Sequence, residues 1–556
     1  MTSTWFKDSV IYQIYPMSFQ DSNHDGIGDL NGIRQRLPYL KDLGVDVLWL
    51  NPIYKSPNID NGYDIADYES INPDYGTMED FNNLLADIHA HGMKLLMDLV
   101  VNHTSDQHKW FQESKKSKDN PYSDYYIWRD PVDGHAPNNW GSYFSGSAWT
   151  FVPERGQYYL HLFAKEQPDL NWENPEVRQQ IYKLMKFWLD KGVNGFRMDV
   201  INLISKPIGL PDAKVPEGGR YGNVEPIVAD GPRLNEFLQE MNQEVLSKYD
   251  MMTVGEMPGS TPEDAMQYTN LEGTELNMVF QFQHVNLSPN KDPRFGKFSD
   301  EKIKLPELKQ ALSVWQEKLD GKGWNSLYWN NHDQPRAVSR FATDDPEYRV
   351  RAAKMIGTTL HFMQGTPFVY EGEEIGMTNN HFAKVSEYED LEVLNMYHDV
   401  VDTQHIVDPD QFMKWIADRS RDNARTPMQW DDGKNAGFTD ATPWYQLNPN
   451  YPEINVKRAL EDKDSVYYYY QKLIKLRHNS ELIRYGTYEL LDSDDIEVFA
   501  YKRHYNGQTL LVISNFTAKE VSRDYGQANA DELLISNYAD QADNFRPYET
   551  RAYLFK

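Results

Sequence analysis

The chain has 556 residues, 40% hydrophobic and 25% charged, the balance of an ordinary globular protein. That length exceeds what one small core needs, so one large domain with insertions or appendages is expected. A formal net charge of -28, with no run of Lys and Arg to interrupt it, repels phosphate backbones and anionic headgroups and argues against nucleic-acid or membrane partners. The absence of cysteine excludes a disulfide framework, thiolate catalysis and cysteine-ligated metal, and is compatible with a reducing compartment.

The first residues, MTSTWFKDSVIYQIYP, have no basic stretch followed by an apolar segment and a cleavage site, and no apolar run approaches membrane-spanning length. A cytoplasmic monomer is therefore expected. Eight short apolar runs follow, each succeeded by loop residues and then a helical pattern. They are Val10 to Tyr15, Val45 to Leu50, Leu95 to Val101, Gly195 to Met198, Met251 to Val254, Met278 to Phe282, Ser326 to Trp329 and Pro367 to Tyr370. Between them, Asn174 to Lys191 carries Val177, Ile181, Leu184, Met185 and Trp188 at helical spacing. Eight β-α units predict a (β/α)8 barrel of α/β class. A doubly wound open sheet would also alternate, but it would not need eight units, and no glycine-rich phosphate loop follows the first run.

Residues 1–103 and 173–481 are thus expected to form the barrel in two parts. Residues 104–172, rich in Asn, Gly, Asp, Pro and aromatics, are too many for an ordinary connection and read as a small inserted domain after strand three. Residues 482–556 contain EVFAYKRH, TLLVISNF and TRAYLFK, whose alternation predicts a separate antiparallel β domain.

Three acids sit where those runs end: Asp199 closes GFRMD, Glu256 closes TVGE, and Asp333 follows YWNNH. In a barrel the carboxyl ends of the strands converge on one face, so residues far apart in sequence become neighbours there. Each acid alone reads equally well as a surface group or a helix cap. All three together, with Arg197 and His332 beside two of them, fit glycoside hydrolysis better than a metal cage. That chemistry needs one carboxylate to attack the anomeric carbon and a second to protonate the leaving oxygen, with the two roughly 5 to 5.5 Å apart in the double-displacement case.

The blocks DLVVNH (Asp98 to His103), GFRMDV (Gly195 to Val200), VGEMPG (Val254 to Gly259) and NNHD (Asn330 to Asp333) resemble, in order and spacing, the four motifs of the α-amylase family of glycoside hydrolases. With QIYPMSFQDSNHDGIGDLNGI, DNGYDIADY, QPDLNWENPEVR, GTPFVYEGEEIGMTN and RDNARTPMQWDD, the similarity covers nearly the whole chain and points to the oligo-1,6-glucosidase and dextran glucosidase branch. The resemblance implies a barrel with an inserted B domain and a C-terminal β domain. It implies Asp199 as nucleophile, Glu256 as general acid/base, Asp333 as the transition-state carboxylate, and Arg197 as the group that orients Asp199. His103 and His332, ambiguous by physics alone, would hydrogen-bond the hydroxyls of the reacting glucose. Tyr63 would stack on that glucose, and an Asp60 to Arg425 pair would bind its far hydroxyls and close the pocket, which favours exo-action. Taken singly, Tyr63 reads as core and Arg425 as a solvated cation, the more common fates of those residue types. Val200, after the nucleophile, is the residue type that accompanies α-1,6 preference in this branch.

Asp21, Asn23, Asp25, Ile27 and Asp29 place oxygens at alternate positions around Gly26 and Gly28, like the first part of a calcium loop without the closing Glu of an EF-hand. An acidic surface turn would look the same. The family resemblance includes a calcium loop here, so a structural Ca2+ held through these side chains and the Ile27 carbonyl is expected. No HExxH spacing supports zinc, and no organic cofactor is expected. The substrate class is then a short oligosaccharide with terminal α-1,6-linked glucose. Trehalose-6-phosphate hydrolase, α-1,4-glucosidase and glucosyltransferase or sucrose isomerase are alternatives on the same fold. Isomerisation is disfavoured because no arginine-rich RLDRD stretch occurs around Gln281 to Phe298. A non-enzymatic transporter-subunit relative ranks last, since all three carboxylates are present.

Overall fold

The computed structural model describes residues 4–556. Eight parallel strands form its centre: β1 (Ile11–Ile14), β2 (Val47–Leu50), β3 (Lys94–Leu99), β4 (Gly195–Met198), β5 (Met252–Glu256), β6 (Met278–Phe280), β7 (Ser326–Leu327) and β8 (Thr366–Tyr370). Their hydrogen-bonded order is β6-β5-β4-β3-β2-β1-β8-β7, so the sheet curls until β6 faces β7. No ladder joins that seam. Side chains bridge it: Ser326 Oγ donates to Val279 O at 2.7 Å, and Tyr328 donates its hydroxyl to Gln281 O.

Each apolar run of the sequence holds a barrel strand because both faces of the sheet are covered, which removes the alternation a half-exposed strand would show. All of β1, β2, β4, β5, β6 and β8 is buried. The fifth strand runs two residues further than the apolar run, through Gly255 to Glu256, because pairing with β6 continues to the Glu256 and Phe280 partners. The site acid is therefore the last residue of a strand. Gly195 opens β4 at φ 146°, where a Cβ would lie 2.0 Å from Met252 O; only glycine allows β4 and β5 to pair there.

The outer helices start on side-chain caps that satisfy their first N–H groups. Asp29 caps Leu30–Leu43, Thr77 and Asp80 form a capping box for Met78–Ala90, and Asn174 caps Pro175–Asp190, whose Val177, Ile181, Leu184, Met185 and Trp188 are buried as their spacing predicts. Between β3 and β4 lies a three-stranded antiparallel sheet made of Trp128–Arg129, Gln157–Leu160 and Trp149–Val152 in that order. Lys206 ties this insertion to the barrel: its Nζ lies 2.9 Å from Asp169 Oδ2, 2.9 Å from Asn102 Oδ1 and 2.5 Å from Leu203 O.

A five-stranded antiparallel sheet follows the barrel, from Thr487–Leu491 to Thr550–Phe555. Helix Glu481–Tyr485 precedes it, so the alternating tail begins at Thr487 rather than at residue 482. The sheet packs on helix Arg349–His361 through Tyr501, whose hydroxyl donates to Thr359 O at 2.8 Å. No helix among the described residues is long and apolar enough to cross a membrane.

Candidate active site

At the carboxyl ends of the strands lies a cavity of about 770 Å3. Asp60, Tyr63, His103, Asp199, Val200, Glu256 and Asp333 line it, while Arg197, His332 and Arg425 stand directly behind that lining. The geometry centres on Arg197, which is fully buried on β4. Its Nη1 donates to Asp199 Oδ1 at 2.7 Å and to Asp98 Oδ1 at 2.9 Å, and its Nη2 lies 2.6 Å from Glu256 Oε2. One guanidinium thus joins Asp199 and Glu256 from neighbouring strands, together with Asp98, a third carboxylate that sequence reasoning left without a role. Burial, with Glu256 and Asp98 adding to it against the pull of Arg197, pushes the Asp199 carboxyl well above its usual range. Physically, crowding of carboxylates in a buried site disfavours the charged form of Asp199, and the Arg197 guanidinium opposes this.

Asp333 behaves oppositely. Burial works to raise it, but the hydrogen bond from His332 Nε2 and the guanidiniums of Arg421 and Arg425 outweigh burial and hold it well below the carboxylate range. His332 Nε2 lies 3.0 Å from Asp333 Oδ2, and burial lowers the imidazole pKa although Asp333 opposes this. Burial also lowers His103, to about 4, and its Nε2 faces Tyr63 O at 3.1 Å. The Tyr63 ring lies parallel to that of His332, 5.1 Å between centroids, and its hydroxyl donates to Asp98 Oδ2 at 2.8 Å.

The expected Asp60 to Arg425 pair does not form. Arg421 takes that place, with Nη2 3.4 Å from Asp60 Oδ1, Nη1 3.0 Å from Asp333 Oδ1, and Asp390 held at 2.5 Å. Arg425 instead donates to Asp333 Oδ1 at 2.9 Å and to His332 O at 3.1 Å. The two arginines stand four apart in RSRDNAR, so helical spacing puts both on one side, and only the register of the turn decides which one reaches Asp60. Gln167, also missed, donates to Asp60 Oδ2 at 3.0 Å from the inserted segment. Burial raises the Asp60 carboxyl to about 6, against the opposing Arg421 and Arg425.

Val200 adopts φ 34°, ψ 42°, a left-handed conformation that strains a β-branched residue by about 1–3 kcal/mol. In that pose its backbone N–H donates to Glu256 Oε2 at 3.1 Å. The strain therefore positions the acid while leaving the valine side chain on the cavity wall.

The five expected calcium ligands lie on one turn, with Gly26 at φ 95°. Asp21 accepts from the backbone N–H groups of Asn23, His24 and Gly26, and Asp29 accepts from Ser22 while capping its helix. No three carboxylates converge there among the described residues. Their hard oxygens are the donor type that calcium takes.

Residues 13–486 match the family profile described as Alpha amylase, catalytic domain. The chain belongs to the α-amylase family. Its relatives within that family include an oligo-1,6-glucosidase of Parageobacillus thermoglucosidasius, 57% identical over 100% of this chain and 99% of its own length. A trehalose-6-phosphate hydrolase of Bacillus subtilis is 49% identical over 99% and 98% of the two chains. Among solved α-amylase-family structures, an isomaltulose synthase of Klebsiella sp. LX3 superimposes with a TM-score of 0.95 at 43% identity, covering 100% of both chains.

Proposed function

We propose that the protein is a retaining, exo-acting α-glucosidase that hydrolyses terminal α-1,6-linked glucose from isomalto-oligosaccharides and short dextrans. The observation that carries this reading is Arg197 holding Asp199 and Glu256 together at a pocket end closed by Asp60 and Arg421. Asp199 attacks the anomeric carbon as the bond to the leaving oxygen breaks, and Glu256 donates a proton to that oxygen. Asp333, held ionised, stabilises the positive charge that develops on the sugar ring. Water then gives a proton back to Glu256 and attacks the anomeric carbon, releasing glucose and Asp199 with overall retention. His103, His332, Asp60 and Arg421 hold the hydroxyls of the glucose, and Tyr63 covers its face.

The full-length oligo-1,6-glucosidase relatives support the α-1,6 linkage. The wall of the cavity supports neutral rather than phosphorylated sugars. Arg294 and Lys297 face Asp292 and Glu392 at 2.6 and 2.5 Å, Arg220 faces Asp399, and Arg419 is held by the Ser288 and Glu301 carbonyls. A phosphate needs cations with free charge and donors; Arg294, Lys297 and Arg220 are paired with carboxylates, and the Arg419 Nη2 donors are taken by carbonyls. Chromatography of products from isomaltose, maltose, sucrose, trehalose 6-phosphate and dextran tests the reading; preferential cleavage of trehalose 6-phosphate would refute it.

We propose also that the turn from Asp21 to Asp29 binds a structural Ca2+, in which case chelation lowers the melting temperature and added calcium restores it. An unmoved transition, with no metal by elemental analysis, makes the loop an acidic turn. We place the protein in the cytoplasm as a monomer, which a cysteine-free chain suits and which fractionation and sedimentation test.

A further inference from the structure

A buried chain of hydrogen bonds crosses the barrel from the nucleophile's side of the site to the Asp333 side, and its direction is set at one end. Asp98 accepts from Arg197 Nη1 at 2.9 Å, from the Trp49 indole at 3.2 Å and from the Tyr63 hydroxyl at 2.8 Å. A carboxylate against a guanidinium only accepts, so the Tyr63 hydrogen points at Asp98. The Tyr63 oxygen must then accept its next contact, from Asn51 Nδ2 at 2.7 Å. This turns Asn51 Oδ1 toward Gln13, whose Nε2 donates to it at 2.9 Å.

The second hydrogen on that nitrogen is aimed at His332 Nδ1, also at 2.9 Å. An amide nitrogen donates and does not accept, so Nδ1 is the bare ring nitrogen and the proton sits on Nε2, beside Asp333. Each orientation follows from the previous one, which leaves no free choice of amide or tautomer along the path. Gln13, Asn51, Asp98 and His332 are at most 2% exposed, so water does not substitute for a missing partner.

We propose that Gln13, on the first barrel strand, is a positioning residue that holds His332 as the neutral Nε2–H tautomer. Asp98 thereby governs both ends of the site, Arg197 directly and His332 through Tyr63, Asn51 and Gln13. The proposal builds on the glucosidase reading, in which Nε2–H donates to a sugar hydroxyl and to Asp333. With the other tautomer, the Nε2 lone pair would face the Asp333 carboxylate and a substrate donor would be lost. The ring itself is held by Tyr63 on one face and Tyr15, 6.2 Å away and nearly parallel. The charged groups around it are Asp333, Arg197 and Arg425, and burial lowers the imidazole pKa. What remains for Gln13 to decide is which nitrogen carries the proton.

The test is long-range 1H–15N NMR on the full chain labelled at histidine, with the His332 signals identified by their loss in His332→Asn. Wild type is expected to show a bare Nδ1 and a protonated Nε2. Gln13→Glu keeps the size but replaces the donor with an acceptor, and Gln13→Met removes it. In Gln13→Glu the proton is expected on Nδ1, and in Gln13→Met the Nε2–H preference is lost. In both, kcat/KM on isomaltose falls about 10- to 100-fold, the range that losing an outer hydrogen-bonding partner of an imidazole costs in metal sites. A wild-type proton on Nδ1, an unchanged tautomer in both variants, or an unchanged kcat/KM overturns the proposal. Should a variant not fold, the wild-type spectrum still decides the tautomer. Failure of the glucosidase reading looks different, since the wild-type enzyme would then leave isomaltose intact or prefer trehalose 6-phosphate while the spectrum stayed as expected.

Discussion

Asp60 is a carboxylate whose contribution to stability changes sign with its use in binding. Its folded-state value of about 6, against an ordinary 3.8, means that the native protein holds this proton more tightly than the unfolded chain does. Stability from this group is therefore undiminished below about pH 4, falls as pH rises between the two values, and is reduced by the full amount above about pH 6. The gap between about 6 and the ordinary 3.8 corresponds to about 3 kcal/mol. Asp60→Asn removes that penalty but sets an amide against the Gln167 donor at 3.0 Å, which offsets about 1 kcal/mol. The net expectation is a gain of about 2 kcal/mol at pH 8 and a loss of about 1 kcal/mol at pH 4. Activity moves the other way: a charged hydrogen bond to a sugar hydroxyl contributes about 1.5–3 kcal/mol, so kcat/KM falls by roughly 10- to 100-fold. Urea melts at pH 4, 6 and 8 measure the first quantity and isomaltose kinetics the second. A variant destabilised at pH 8, or shifted equally at all three values, refutes the reasoning.

Asp199→Asn and Glu256→Gln should each reduce turnover by orders of magnitude with unchanged circular dichroism, since each removes one step of the double displacement; near wild-type rates would reject both roles. Lys206→Met removes the cation from a buried cluster of Asp169, Asn102 and Leu203 oxygens, and breaking such a pair costs about 3–5 kcal/mol in thermal or urea unfolding. Val200→Ala and Val200→Thr should shift the isomaltose to maltose ratio of kcat/KM by roughly 10- to 200-fold at most, because one or two methyl groups on the cavity wall change transition-state binding by about 1–3 kcal/mol. If both variants keep the wild-type ratio, linkage choice resides elsewhere in the cavity wall.

The eight apolar runs were legible because a sheet buried on both faces needs largely apolar strands, broken at few positions such as Gln13 and Arg197, and that pattern is local. Asp199, Glu256 and Asp333 were legible for a related reason: each stands at or just after the end of such a run, and the barrel brings those ends together. The helix that carries Val177 to Trp188 announced itself through its spacing and the Asn174 cap.

What lay beyond the sequence is every choice between chemically equal candidates. Arg421 and Arg425 are both arginines of one turn, and only the path of the chain from β8 back over the site decides which reaches Asp60. Gln13, Asn51 and Asp98 look like ordinary polar residues at strand ends until the closed barrel places them in one hydrogen-bonded file with His332. Val200 carries no sign in the sequence of its left-handed backbone, which arises because its N–H must turn back to meet Glu256 from the neighbouring strand. Local patterning determined the elements and the acids at their ends, since burial and periodicity act over a few residues. Pairing of donors with acceptors waited for the tertiary structure, since hydrogen bonds depend on distances across the barrel that spacing along the chain does not encode.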